Sequence, residues 1–420
     1  MQAAGGAVAI REQAAGGDLR ISGITAGAQP VSVSLAAGAL SVGAGITSTG
    51  AVRLESTGSI TGAASVQAGS LTLVSGGEIA ARSAVASSAL PVPAFSVSAT
   101  TLNAQAGRDL VINNTSTAPL TVTGLSAGSL TQRGDIVFRS MAGAASAEVA
   151  AITVSGPVRA QGAGATAELD AGGAQGLVVL GAPISADAGL ALSSRLGVSR
   201  SNDTAILSGA SITLDTAIGS GAKLGTAASP LFTDLQGSAG SLAGLLDGAA
   251  SLRETAGDLR LGGLILRSAD AARTLRLETA SGSIIGQAGV GAADLIAGTV
   301  SLSIQGGSAG VVASGSAPVD PLRIASASSA PIALDAQAAG GSVLVRTGGS
   351  VAVSASGVVV TGNGALLLDA EGAITLGTSG GLRTGSGAIS LAARGGAFTQ
   401  AAGDTFRAAA GDQLETWAQR

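Results

Sequence analysis

One degenerate phrase, Gly-x-apolar-x-apolar-x-x-x-Gly-x-apolar, recurs along the chain and limits it to a stack of similar coils. Three copies, beginning at Gly341, Gly364 and Gly387, start 23 residues apart, and two more, Gly50 to Ile60 and Gly69 to Ile79, are displaced by 19. A period of roughly 20 residues that carries short strands is the signature of a solenoid.

Within a copy the apolar residues alternate, as in Leu366 and Leu368 or Leu71 and Leu73. Both then face one side of a strand while the residue between them faces the other. The flanking glycines are expected to supply the positive φ or tight bend that ends so short a strand, and the next aliphatic, Ile374 or Ile79, starts another face. Ordering one such coil costs roughly 20–40 kcal/mol of backbone entropy, and three or four buried aliphatics return only about 1.5–3 kcal/mol each. One coil therefore cannot stand alone, whereas a stack can pair its backbone and its side chains above and below. The expected fold is all-β, a right-handed parallel β-helix of roughly 18–20 coils, about 4.8 Å each and on the order of 90 Å in all. Outward positions agree: Val52-Arg53-Leu54-Glu55 and Leu275-Arg276-Leu277-Glu278 repeat one strand, each with Arg and Glu on the solvent side.

The phrase occurs near both ends of the 420 residues with no charged or proline-rich linker between, which predicts a single elongated domain over 1–420. Two stretches break the pattern. Residues 87–96 carry Pro91 and Pro93, and residues 240–254 space Leu242, Leu245, Leu246 and Leu252 like a helical turn, so both are expected to be loop insertions. Positive hydropathy and a net charge of only −4 separate the chain from disordered sequences despite its 66 glycines. No apolar run approaches about 18 residues, so no membrane-spanning helix is expected. The acidic balance, with Lys223 the sole lysine, argues against nucleic acid as a partner.

Chemistry is narrowly bounded. The chain has no His, Cys or Tyr, which removes Ser-His-Asp, Cys-His and histidine-metal arrangements, disulfides and thiolate metal sites. Neither a Gly-Lys-Ser/Thr phosphate loop nor a tandem calcium nonapeptide occurs. One Trp and five Phe leave few platforms on which a sugar could stack. No catalytic residue, cofactor or metal is therefore expected. The carboxylate pairs Glu168 with Asp170 and Asp369 with Glu371 have the i, i+2 spacing of one strand face, but the second occupies what reads as the turn of a repeat copy. The tripeptide Arg133-Gly134-Asp135 spells an integrin-recognition sequence and is the candidate binding site, although Gly-Asp before an aliphatic strand is itself repeated at Gly17-Asp18-Leu19 and Gly257-Asp258-Leu259. Asn113-Asn114-Thr115 matches a glycosylation acceptor, and its asparagines are expected to serve a turn.

The strand starts Ala106-Gly107-Arg108-Asp109-Leu110, Gly17-Asp18-Leu19 and Ala256-Gly257-Asp258-Leu259, together with the five phrases, resemble the rods of filamentous haemagglutinin-type exoproteins. That resemblance implies a right-handed parallel β-helix exported by a Gram-negative bacterium through an outer-membrane partner pore in two-partner secretion. It further implies a secreted or cell-surface location and ligands on host or neighbouring cells. The family's Asn-Pro-Asn secretion motif is not found, and the N-terminal residues lack a basic, apolar leader, so the sequence reads as shaft alone. The expected function is an adhesin shaft that projects a terminal domain. The alternatives are a β-helix polysaccharide lyase or hydrolase built on carboxylates and the stalk of a contact-dependent growth-inhibition toxin. Trp417 reads first as an ordinary packed aromatic, with a cover for the last coil as the alternative.

Overall fold

Alternating aliphatics can be buried from one side only if a neighbouring strand supplies the same row, and parallel stacking provides it coil after coil. The computed structural model describes residues 6–13, 17–80, 94–143, 150–171, 173, 176–267, 273–287, 292–312, 319–326, 328–377, 381–400, 406–407 and 414–418, the last two stretches as backbone only. Among these residues there is no helix, and the strands pair in parallel as a β-solenoid of about 15 turns. Contacts divide the chain into two compact units, Met1–Ala210 and Ser211–Arg420.

In the first unit one face is a continuous row in which Leu19 pairs with Leu40, then Ile60, Ile79, Leu110, Ile136, Ala167 and Leu190. A second face runs from Val8–Glu12 through Val31–Leu35 and Ala51–Ser56 to Val66–Ser75, with Val52 and Leu54 in register with Leu71 and Leu73. All four of these side chains are buried, as the alternation predicts. Arg53 and Glu55 lie on the outer side and pair with each other at 3.1 Å.

The second unit repeats the plan. Leu259 pairs with Ile284, and the row continues through Ala309, Val343, Leu366 and Ile389. A neighbouring row runs from Leu224 through Ala250, Leu275 and Val300 to Leu334. Leu366 and Leu368 are buried, and Arg276 and Glu278 form the same outward pair as Arg53 and Glu55.

Four expectations need correction or placement. Residues 240–254 are not an insertion: Ser241–Leu246 and Ala250–Glu254 are coil strands in register with Ser211–Thr216 and Thr274–Thr279. The helix-like leucine spacing is coincidental: Ser241–Leu246 alternates strictly, with Leu242, Gly244 and Leu246 inward and Leu245 outward and 37% exposed, while Leu252 belongs to the next strand. Of 87–96, residues 87–93 lie outside the described residues, and Phe95 opens the strand Phe95–Ala106.

Turns are fewer than the expected 18–20 because coils are longer than about 20 residues. Equivalent corner positions fall 21 residues apart at Asp18 and Ala39, but 31 at Asp135 and Thr166 and 34 at Ser308 and Ser342. Nor do the phrase glycines work as expected, since none has positive φ. At Gly364 and Gly387 an added Cβ would instead run into the carbonyl of Gly341 and Gly364 respectively, one coil below. At these two positions the coils stack too closely for a side chain, and glycine is required by approach, not by backbone hand.

Candidate functional site

At several corners the residue just before the first inward aliphatic links one coil to the next. Asp18 Oδ1 accepts the Ala39 N–H at 2.8 Å, Asp109 Oδ1 that of Asp135 at 3.0 Å, and Asp258 Oδ1 that of Ser283 at 2.8 Å. From Ser283 the relay continues through hydroxyls: Ser283 Oγ accepts from Ser308, Ser308 Oγ from Ser342, and Ser342 Oγ from Ala365, at 2.9–3.0 Å. The repeated Gly-Asp of the sequence is thus a coil-to-coil clamp, satisfying an amide that corner geometry would otherwise leave unpaired.

Arg133-Gly134-Asp135 occupies one of these clamps. Asp135 Oδ1 accepts the Thr166 N–H at 2.8 Å and its hydroxyl at 3.2 Å, while Arg133 donates to both carboxylate oxygens at 3.2 and 2.8 Å. That carboxylate raises the Arg133 pKa, first through its hydrogen bond and then through its charge. The tripeptide follows a tight turn, Ser129 to Gln132, with Leu130 at its tip 86% exposed. Its two charges therefore face each other instead of standing apart.

The carboxylate pairs are separated in role. Glu168 and Asp170 share the outer face of Thr166–Ala171, where Arg139 pairs with Glu168 at 3.4 Å and Ser193 donates to Asp170 at 3.0 Å. Asp369 lies within the strand Leu366–Ala370, not in a turn, and is only 3% exposed, whereas Glu371 is exposed. Arg346 donates to Asp369 at 2.9 Å, and Arg394 donates to both its oxygens at 2.6 and 2.9 Å. Burial opposes ionisation of Asp369, but the bonds from Arg394 and Arg346 outweigh it and hold the pKa below its ordinary value. Such a carboxylate is a poor proton donor. Asn113 and Asn114 end the strand Leu110–Asn114 instead of preceding one, and the buried Asn114 accepts the Ala99 N–H at 3.0 Å.

Glu254 is one of several buried carboxyls, with Glu78, Asp247 and Asp294, that escaped notice in the sequence. Glu254, 0% exposed, accepts from the Thr233 hydroxyl at 2.7 Å and from the Leu235 N–H at 2.8 Å. Burial pushes its pKa up to about 7, against the opposing pull of those two bonds and of Arg260. Arg260 is itself buried and donates to the backbone carbonyls of Gly240, Leu235 and Gly237.

A pocket of about 420 Å³ with both polar and apolar walls opens on the outer face of the second unit. Its walls include Ser251, Arg276, Ser301 and Asp335, which pair in successive coils, with Lys223 beside them. Ser301 donates to Asp335 at 2.9 Å, and burial raises the Asp335 pKa. Lys223 and Arg276 stood out in the sequence, but Ser251 and Asp335 carried no local signal. Among the described residues no group of three or more carboxylates is placed to hold a metal ion, and no helix is long and apolar enough to cross a membrane. Trp417 falls in the strand Leu414–Ala418, and its side chain lies outside the described residues.

No family model, curated relative or solved structure matches the chain.

Proposed function

We propose that this chain is a shaft segment of a bacterial surface or secreted adhesin of the filamentous haemagglutinin type, exported through an outer-membrane pore and carrying a terminal domain away from the cell. The observation that supports this reading is the corner relay Asp258, Ser283, Ser308, Ser342: each coil presents the acceptor that the next coil's amide needs, so the structure extends by repetition. Parallel stacking without disulfides suits a chain that must be exported unfolded and order afterwards, since the chain contains no cysteine. Adhesion along such a surface arises from repeated weak contacts that add through multivalency.

Intact cells producing the chain test this reading. Antibodies against the described coils are expected to label unbroken cells or to detect the chain in the medium, and removal of the partner pore is expected to abolish both. Labelling that requires lysis would overturn the proposal.

A further inference from the structure

The pocket on the outer face of the second unit brings two cationic groups beside a buried hydroxyl. Several outward charges elsewhere are matched in pairs, as in Arg53 with Glu55 or Asp369 between two arginines. Here Lys223 is exposed and has no ion-pair partner among the described residues. Arg276 spends Nε on Glu278 and leaves its terminal nitrogens without a hydrogen bond among those residues. Ser251 is the most telling group: it points outward between Ala250 and Leu252, yet is 4% exposed, and its hydroxyl has no hydrogen-bond partner among the described residues. The turn from Gly225 lies against it, so close that a Cβ on Gly225 would come 2.8 Å from the Ser251 carbonyl oxygen. A buried hydroxyl left unpaired is costly and calls for an explanation.

The column sets the chemistry of the missing partner. Hydroxyl, guanidinium, hydroxyl and carboxyl from Ser251, Arg276, Ser301 and Asp335 follow one another at the coil spacing of about 4.8 Å, with an ammonium at one end. A bare anion would use Lys223 and Arg276 and leave the hydroxyls idle; a neutral polyol would use the hydroxyls and leave Lys223 idle. The volume of about 420 Å³ lies within the range of small-molecule sites, roughly 300–1,000 Å³. We propose that this pocket binds one sugar-acid unit at its Lys223 end, the carboxylate held by Lys223 and the hydroxyls by Ser251 and Arg276. The absence of an aromatic wall makes the contact polar and weak at each site. The inference does not depend on the shaft reading, because it concerns binding in solution.

Titration of the full chain with D-glucuronate and D-galacturonate, followed by calorimetry or by NMR at low ionic strength, tests it. Saturable binding by at least one of them is expected in the millimolar range, weakened at least tenfold by Lys223→Gln and by Ser251→Ala. The first substitution is exposed and leaves folding intact. The second removes a hydroxyl with no protein partner, so thermal stability is expected to hold while affinity falls, an outcome that a merely structural serine would not give. Absence of saturable uronate binding, equal binding of acetate or methyl glucoside, or unchanged affinity in both variants would each overturn the proposal.

Discussion

Gly364 and Gly349 belong to the same repeated phrase but do different work. A Cβ at Gly364 would collide with the Gly341 carbonyl, whereas one at Gly349 would meet nothing within 4 Å, and neither residue has positive φ. Gly364→Ala is therefore expected to cost about 1–3 kcal/mol through overpacking, and Gly349→Ala to be neutral or slightly stabilising through the unfolded chain. Urea unfolding of the two variants checks the contrast. Glu254 makes a second residue-level prediction. Its folded pKa of about 7 lies above the ordinary 4.5, so the folded state binds the extra proton. The stability this gives is complete below pH 4.5 and is lost as pH rises through about 7, on the order of 3 kcal/mol in all. The groups that share its surroundings are Asp234, which raises its pKa further, and Arg260, which opposes. Glu254→Gln keeps an acceptor for Leu235 and is expected to melt higher than the natural chain at about pH 8, with the advantage vanishing toward pH 4. Asp369 runs the other way. Its depressed pKa stabilises the fold above the ordinary 3.8 and loses that effect as pH falls through the folded value, so Asp369→Asn is expected to lower the melting temperature at neutral pH and to flatten the acid limb.

At the scale of the element, the coil corner is where sequence and structure part company. Strand interiors were legible: the alternation at Val52 and Leu54 or Leu366 and Leu368 placed every one of these side chains inside. The corners were not, because what they need depends on the coil below. Ser308 looks like any serine in a glycine-rich run, yet its hydroxyl takes the Ser342 amide 34 residues later. Gly-Asp was visible as a repeat, but its role as an acceptor for the next coil was not, since the donor lies 21 to 31 residues away. The pocket was hidden for the same reason: Ser251, Arg276, Ser301 and Asp335 are 25, 25 and 34 residues apart, an unequal spacing that no fixed period reveals. Leu242 to Leu252 misled because Leu245 faces outward between the inward Gly244 and Leu246, and Leu252 lies in the following strand. Ser308→Ala would leave the Ser342 amide unpaired at a buried corner, at a cost of about 1–3 kcal/mol. Amide exchange at Ser342 should accelerate before that of Leu344, whose N–H is held by the Ala309 carbonyl at 2.9 Å.

For the whole molecule, stability is a sum of nearest-neighbour terms between coils. Leu368 sits between Val345 and Leu391 in the stacked row and is buried. Leu368→Asp places a charge without a partner in that row and is expected to unstack the coils on either side, because an unpaired interior charge is prohibitively costly. Hydrogen exchange should show protection lost over residues 343–393 and kept over 19–80; unchanged protection around Leu368 would contradict its inward position.

The serine relay also bears on how such a chain can grow. Ser308 hands its oxygen to Ser342, and Ser342 hands an equivalent oxygen to Ala365, so the top of one turn and the bottom of the next carry interchangeable fittings. An in-frame duplication of residues 342–364 would bring its own donor, acceptor and bare corner with it. Length in this protein is then open to change by unequal recombination, one turn at a time, without redesign of the neighbours.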